Sequence, residues 1–227
     1  MKIEEIAEVS SNHAEVFTDE IMNSTLFPDL TQVGEVLASF KGEITIPNIE
    51  KMPSEFYEAL VKHKGKRISF PNYYGGGGIK LTVRDAEILS RYQGELMFDF
   101  DSSCRLPGRL NYPLWAGSDE KKEIEDEIAI AQAFRKHQGG DLELQNISIL
   151  STKAASELFA HHLPVYISSS FHASDEGACG SNSEWICEQL EAGSITEWGK
   201  IATLYKEAEK RWFPDLAESE YPTRTRW

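Results

Sequence analysis

The sequence has few cysteines and no long apolar run, and each absence excludes a class of protein. Cys104, Cys179 and Cys187 are the three cysteines, too few and too scattered for a disulfide framework. No apolar stretch approaches the roughly 18 residues that a membrane-spanning helix needs. The N-terminal residues are acidic and lack the apolar core of a secretory signal. These features predict a cytoplasmic protein with reduced thiols and no membrane partner.

Basic residues are also scarce. Lys and Arg number 23 against 37 Asp and Glu, which gives a formal net charge of −14 at pH 7. This excess of negative charge argues against non-specific binding to nucleic acid. It favours a basic protein partner, attracted by long-range electrostatic steering. The alternative is that the acidity only keeps the protein soluble.

Catalytic signatures are missing as well. The sequence contains no G-x-S-x-G, H-E-x-x-H or C-x-x-C motif. Cys179 is the best nucleophile candidate, because His172 and Asp175 precede it closely and a reactive thiol needs a base and an orienting carboxylate. Asp99 and Asp101 form an Asp-x-Asp pair without an evident third metal ligand, which favours a turn cap. We therefore predict no catalytic residue, metal or cofactor.

Four consecutive glycines, in "YYGGGG" at 73–78, raise the question of a phosphate-binding loop. A nucleotide-binding loop needs Lys followed by Ser or Thr directly after its last glycine. Here Gly78 is followed by Ile79 and then Lys80. The run is therefore interpreted as a flexible spacer.

A helix–strand pattern recurs five times along the chain. Each copy has an apolar-periodic stretch, a basic or aromatic turn that usually contains glycine, and a short alternating strand. The copies are 33–49, 56–73, 86–100, 130–147 and 155–168. The turn glycines are Gly42, Gly65, Gly94 and Gly139, with Leu163-Pro164 in the fifth copy. Glycine at these positions predicts a left-handed cap that ends each helix.

Helix starts and turn residues support the same pattern. Starts are predicted near Leu30, Ser54, Thr82 and Ser151, with Thr82 and Asp85 spaced as a capping box. His63, His137 and His161 recur at matched positions, where copy three has Tyr92. We interpret these four residues as partly packed helix-end side chains rather than as metal ligands.

The repeated pattern resembles the leucine-rich-repeat class, and more closely the bacterial helix–strand repeats of the form LS-x-x-A-x-x-L-A-x-H-K-G-x-L-x-L-x-N. The resemblance covers about residues 30–168. It departs in copy three, where Asp99-Phe100-Asp101 stands in place of the Asn that follows the strand in other copies. The predicted fold is a single α/β domain: a right-handed repeat solenoid of about five helix–strand repeats with a parallel sheet. Helical caps are predicted at both ends, in 1–29 and, after a loop, in 169–227.

The spacing of the turn glycines lengthens twice, which predicts insertions at 73–78 and 102–122. In a solenoid, all strand-to-helix connections lie on one edge, so the insertions are expected side by side, where repeat proteins often bind partners. The predicted contact residues there are Tyr73, Tyr74, Arg105, Arg109, Tyr112 and Trp115. The alternative is that the aromatic residues of 102–122 cover a bare part of the sheet.

The outward positions of the predicted strands are rich in carboxylates, interrupted by Lys66 and Arg67. The candidate binding residues on this face are Glu43, Glu95, Asp99, Asp141 and Glu143. The sequence thus favours a non-catalytic protein-binding module, in its most concrete form an immunity (antitoxin) protein that occludes a basic toxin. An ordinary solvated face is the alternative for the acidic strand positions. The alternative functions are a general adaptor or scaffold protein and a cysteine-dependent enzyme using Cys179 and His172.

Overall fold

The structure, a computed structural model, describes residues 13–15, 30–46, 52–72, 79–105, 109–110, 120–168 and 195–215. Within these ranges the chain forms seven strands and six helices. In chain order they are β1 (His13–Glu15), α1 (Leu30–Ser39), β2 (Glu43–Thr45), α2 (Ser54–Leu60), β3 (Arg67–Phe70), α3 (Val83–Leu89), β4 (Glu95–Arg105), β5 (Arg109–Leu110), α4 (Glu120–Arg135), β6 (Leu142–Ile149), α5 (Thr152–Phe159), β7 (Val165–Ser168) and α6 (Ile195–Trp212). None of the six helices is both long and apolar enough to cross a membrane.

The strands form one sheet in the order β1-β2-β3-β4-β6-β7, and every pairing along this path is parallel. Among the described residues, one helix lies in the chain between each strand of the path and the next. The α/β class and the parallel sheet are therefore confirmed. Strand β5 lies off the path and pairs antiparallel with the end of β4.

The register places apolar side chains in rows on one face of the sheet. Ile44 pairs with Ile68, Ile68 with Leu96, Leu96 with Leu142, and Leu142 with Val165; each of these five is at most 1% exposed. In the next row Phe70 and Phe98 stack with ring centroids 5.2 Å apart. These rows share one core with the buried residues of the helices, among them Leu37, Leu60, Leu89, Phe134 and Leu158. Burial of this apolar surface is the main force that holds the helices on that face.

The predicted capping box of α3 is confirmed. The backbone N–H of Asp85 donates to the Thr82 hydroxyl (3.2 Å), and the Asp85 carboxylate accepts from the backbone N–H of Thr82 (2.9 Å). The same carboxylate accepts the Ser54 hydroxyl at 2.7 Å, at the start of the preceding helix. Asp85 therefore connects two neighbouring repeats as well as capping its own helix.

The predicted role of the turn glycines is wrong. Gly65, Gly94 and Gly139 do not have the positive φ of a left-handed cap, and α2 ends at Val61 in the right-handed conformation. Glycine is needed there for close approach. A Cβ atom at Gly65 would overlap the Gly42 carbonyl oxygen and the His63 ring, and one at Gly94 would overlap the Lys66 carbonyl oxygen.

Strands β4 and β6 are longer than the sequence pattern predicts. Residues 102–105 of the expected insertion continue β4, and residues 120–122 belong to α4. The pairing of β4 with β6 shifts between Asp99, opposite Gln145, and Cys104, opposite Ile147, so β4 bulges there. Asp99 and Asp101 lie within this strand, so the turn cap predicted for them is wrong. Helices α2 and α3 have seven residues each, about two turns.

The two ends of the described chain differ. Residues His13–Glu15, which the sequence placed in a helical cap, form β1 and extend the sheet beside β2. Helix α6 packs against α5, where the rings of Phe159 and Tyr205 meet edge to face at 5.2 Å. The Trp212 indole N–H donates to the carbonyl oxygen of His161 at 2.9 Å. The remainder of 1–29 and of 169–227 lies outside the described residues.

Candidate protein-binding surface

The sheet has a second face, opposite the helices, which we call the open face. The register forms its rows from the strand positions between the buried ones. Those positions are Glu43, Thr45, Arg67, Ser69, Glu95, Met97, Asp99, Glu143, Gln145 and Tyr166, all partly exposed except Ser69, which is buried. Asp141, also partly exposed, directly precedes the first residue of β6. Four of the five carboxylates predicted as binding residues therefore lie in the rows of one surface, and the fifth lies at the start of β6.

Arg67 is the centre of the charge network on the open face. Its Nη2 atom lies 2.6 Å from Oε2 of Glu143, and its Nη1 atom lies 3.9 Å from Oε2 of Glu95. Its Nε–H donates to the Ser69 hydroxyl at 3.0 Å. Lys66 approaches Glu95 from the other side at 3.1 Å. The two cations that interrupt the acidic pattern in the sequence thus hold Glu95 and Glu143 in fixed positions.

The row of the open face that contains Asp99 and Gln145 is polar, and its side chains make hydrogen bonds to nearby residues. The backbone N–H of Asn72 donates to Oδ2 of Asp99 at 3.2 Å, beyond the end of β3. The Gln145 amide donates to Oε1 of Glu143 at 2.5 Å. Glu143 therefore accepts from Arg67 with one oxygen and from Gln145 with the other, which orients its carboxylate across the sheet.

Two large side chains lie on either side of Glu143 on this face. Met97 on β4 and Tyr166 on β7 are its register neighbours, and both are partly exposed. Sequence reasoning did not include Tyr166 among the binding residues. The alternation of Val165, Tyr166 and Ile167 was the signal that places it opposite the core. Tyrosine and methionine are enriched at protein interfaces, so the open face combines charge with apolar contact area.

The predicted insertion residues are only partly described. Arg105 and Arg109 are register partners in the β4–β5 pair, and Arg105 is also opposite Ile149 of β6. They lie in the extended part of β4 and in the short strand beside it. Tyr73, Tyr74, Tyr112, Trp115, His172 and Cys179 lie outside the described residues, so neither the aromatic contacts nor the thiol site has a described geometry.

The recurring ring residues form a ladder along the turns that join helices to strands. The Nε2–H of His63 donates to the Gly42 carbonyl oxygen at 2.9 Å. The Tyr92 hydroxyl donates to the Gly65 carbonyl oxygen at 2.7 Å. His137 repeats the contact one repeat later, with its Nε2 atom 3.1 Å from the Gly94 carbonyl oxygen. Each ring thus bonds the turn of the repeat before it.

The ladder continues to the C-terminal helix. The Nε2–H of His161 donates to the His137 carbonyl at 2.7 Å, and Trp212 donates to the His161 carbonyl. Burial lowers the pKa of the His63 and His137 imidazoles, and burial raises the pKa of the Tyr92 hydroxyl. Burial therefore favours the neutral forms of His63, Tyr92 and His137, and the ladder contacts tie neighbouring repeats together. Among the described residues, no cluster of three or more His, Cys, Asp or Glu side chains could hold a metal ion.

Comparison of the chain with protein-family models, with curated proteins and with solved structures gives no match.

Proposed function

We propose that this protein is a non-catalytic protein-binding module that holds a basic protein partner on its open face. The observation that carries the proposal is a parallel sheet with helices on one side and partly exposed side chains on the other. Parallel sheets in α/β proteins normally have both faces covered by helices. A parallel sheet with one face uncovered is typical of repeat proteins that use the sheet for recognition.

The proposed architecture is a right-handed helix–strand solenoid, similar to the leucine-rich-repeat class. Its support is the sequential strand order, in which each helix leads to the neighbouring strand. Parallel crossovers of this kind are almost always right-handed, because a right-twisted strand that leads into a helix packs back onto the sheet in that sense. The ring ladder adds support, since one contact recurs from repeat to repeat at the same turn position.

Charge supports a basic partner. The open face carries the carboxylates of Glu43, Glu95, Asp99 and Glu143, with Asp141 at the start of β6, against Arg67 on the face and Lys66 at its margin. Two of these carboxylates are already held by Arg67, so the network is preorganised before a partner arrives. Rigid, oriented acceptors lower the cost of ordering side chains on binding. Met97 and Tyr166 supply apolar contact beside them.

The most concrete form of the proposal is a cytoplasmic immunity protein that occludes a basic toxin, for instance a nuclease. The formal net charge of −14 supports it, because opposite net charges accelerate association. A toxin that acts on nucleic acid has a basic active surface, and an acidic face can cover that surface by charge complementarity. Occlusion needs no catalytic group in the inhibitor.

A pull-down with matched variants tests the proposal. The tagged protein is used to capture partners from its own organism at about 50 mM and about 300 mM salt, which screens surface charges to different extents. Mass spectrometry should identify a strongly basic protein that is released at the higher salt. Glu43→Lys, on the open face, should reduce its capture, whereas Glu35→Lys, the same change on an exposed position of α1, should not. Equal capture by both variants would place the interface elsewhere.

A further inference from the structure

A second charged surface lies along the five turns that lead from a helix to the next strand of the sheet. We call it the turn edge and define it as residues 40–42, 61–66, 90–94, 136–140 and 160–164. The ring ladder shows that these turns lie side by side, because each bonds the one before it through His63, Tyr92, His137 and His161. The turn edge is therefore one continuous surface.

The charge of the turn edge is opposite to that of the whole chain. These five segments contain six basic residues and no carboxylate, in a protein of formal charge −14. The basic residues, all exposed, are Lys41, Lys62, Lys64, Lys66, Arg91 and Lys136. Lys66 pairs with Glu95 and Arg91 with Glu58, both from neighbouring elements. The other four have no ion pair with any carboxylate in the described part of the chain.

Helix dipoles offset only part of this positive charge. Helices α1 to α5 end at these turns, and a helix C-terminus carries at most about half a negative charge. Five helix ends contribute about two to three negative charges at most, and short helices such as α2 contribute less. The four basic side chains without an ion pair exceed this, so the turn edge keeps a small positive charge that the helix ends do not cancel.

A cleft opens between the C-terminal ends of α3 and α4 on the same surface. Its volume is about 480 Å³, and its walls include Arg91, Gln93, Lys136 and Gln138 from two adjacent turns. Glu87 of α3 contributes a carboxylate on one side. Arg91 is paired with Glu58 and the Gln93 amide donates to the Arg91 carbonyl, so the ammonium of Lys136 and the amide of Gln138 are the donors that suit a carboxylate entering from the turn edge.

We propose that the turn edge binds a short acidic segment of a partner protein, separately from the open face. Charges farther away than about 8 Å, the Debye length at physiological salt, are largely screened, so such a segment meets mainly the exposed basic side chains of the turns and the carboxylates next to them. A long polyanion such as nucleic acid extends beyond the turn edge and meets the repulsion of the whole chain. With both surfaces, the protein can hold one basic and one acidic partner at the same time.

Fluorescence anisotropy of a labelled octaglutamate peptide tests the proposal on the full chain. The peptide should bind at about 50 mM salt and weaken as salt rises. Reversing two exposed charges in Lys62→Glu/Lys64→Glu should weaken binding about tenfold, because each surface pair contributes a fraction of a kcal/mol and the new carboxylates repel the peptide. Lys153→Glu, the same change on an exposed position of α5 away from the turn edge, should leave binding unchanged.

Single-stranded oligonucleotide and anionic phospholipid vesicles serve as competing probes. The proposal holds if the peptide binds through Lys62 and Lys64 and neither competitor displaces it at equal charge concentration. It is overturned if the peptide does not bind, if both variants bind it equally, or if oligonucleotide or vesicles bind more tightly. Circular dichroism confirms that each variant is folded. Since Glu43→Lys lies on the open face, its behaviour in the pull-down is separable from this result.

Discussion

The guanidinium of Arg67 on β3 reaches across the neighbouring strand β4 to Glu143 on β6, with Nη2 2.6 Å from Oε2. Both side chains are about one quarter exposed, at 27% and 26%, so solvent screens the pair only in part. The contact joins three strands, since Arg67 also approaches Glu95 on β4. Two carboxylates that would otherwise repel each other are thereby held on the open face.

Removing the Arg67 cation should destabilise the sheet, and the loss of stability should depend on salt concentration. Arg67→Met keeps most of the side-chain volume and should lower the free energy of unfolding by about 1 kcal/mol at neutral pH, because Glu95 and Glu143 then face each other without a counter-ion. In about 1 M salt the difference should shrink, because ions screen the repulsion between the two carboxylates. Urea denaturation at about 0.05 M and about 1 M salt measures it, and Arg84→Met at an exposed position of α3 is the control. A loss at high salt as large as at low salt would contradict the electrostatic explanation.

Because neighbouring turns approach each other closely, one added methyl group there should lower the free energy of unfolding strongly. In Gly94→Ala the new Cβ would overlap the Lys66 carbonyl oxygen and the Tyr92 hydroxyl, so the ladder must shift. We expect a loss of about 3 kcal/mol in the free energy of unfolding, at the upper end for overpacked sites. Gly140→Ala should cost less, because its closest contact is a side-chain atom, Cγ of Glu95, and the nearest backbone atom lies 3.0 Å away. Thermal or urea unfolding of the two variants compares them directly, and similar costs would refute this role for Gly94.

The repeat pattern predicted much of the fold because it combines the period of a helix, the alternation of a strand and residues that mark where helices begin. Alternation along Ile44 and Ile68 identified the buried strand positions, and Thr82 with Asp85 identified a helix start. The same alternation placed four of the five carboxylates in the rows of the open face. The sequence carries no signal for the partner that these carboxylates bind, so their binding role stays a prediction.

The incorrect predictions from the sequence concern features that depend on contacts between repeats. The glycines at 65 and 94 looked like helix caps, because local sequence does not show the ring and the carbonyl that pack against them. The extension of β4 and β6 was missed because their pairing continues past a bulge, which breaks the alternation. The ladder itself had a signal, a His or Tyr two residues before the glycine in the second, third and fourth repeats, but its partner lies in the preceding turn.

The buried imidazole of the ladder predicts lower stability in acid. Burial lowers the pKa of His137, with a smaller contribution from the neighbouring imidazoles of His161 and His162. Between the folded-state pKa and the ordinary value near 6.5 the unfolded chain binds more protons, so the free energy of unfolding falls as pH decreases through this range. His137→Tyr, which imitates Tyr92, should make this decline shallower between about pH 7 and pH 5, whereas His162→Tyr at an exposed position should not. Urea unfolding across this range gives the slopes, and an unchanged slope in His137→Tyr would contradict the assignment.

Carboxylate footprinting of the complex tests the central claim most directly. The protein, with and without the basic partner recovered in the pull-down, is treated with a carbodiimide and an amine, and mass spectrometry quantifies the labelling of each Asp and Glu. The account predicts that Glu43 and Asp99 on the open face and Asp141 at the start of β6 lose reactivity in the complex, while Glu35, Glu55 and Glu87 on the exposed surface of the helices keep theirs. Protection of the helix carboxylates with unchanged labelling of the open face would contradict it.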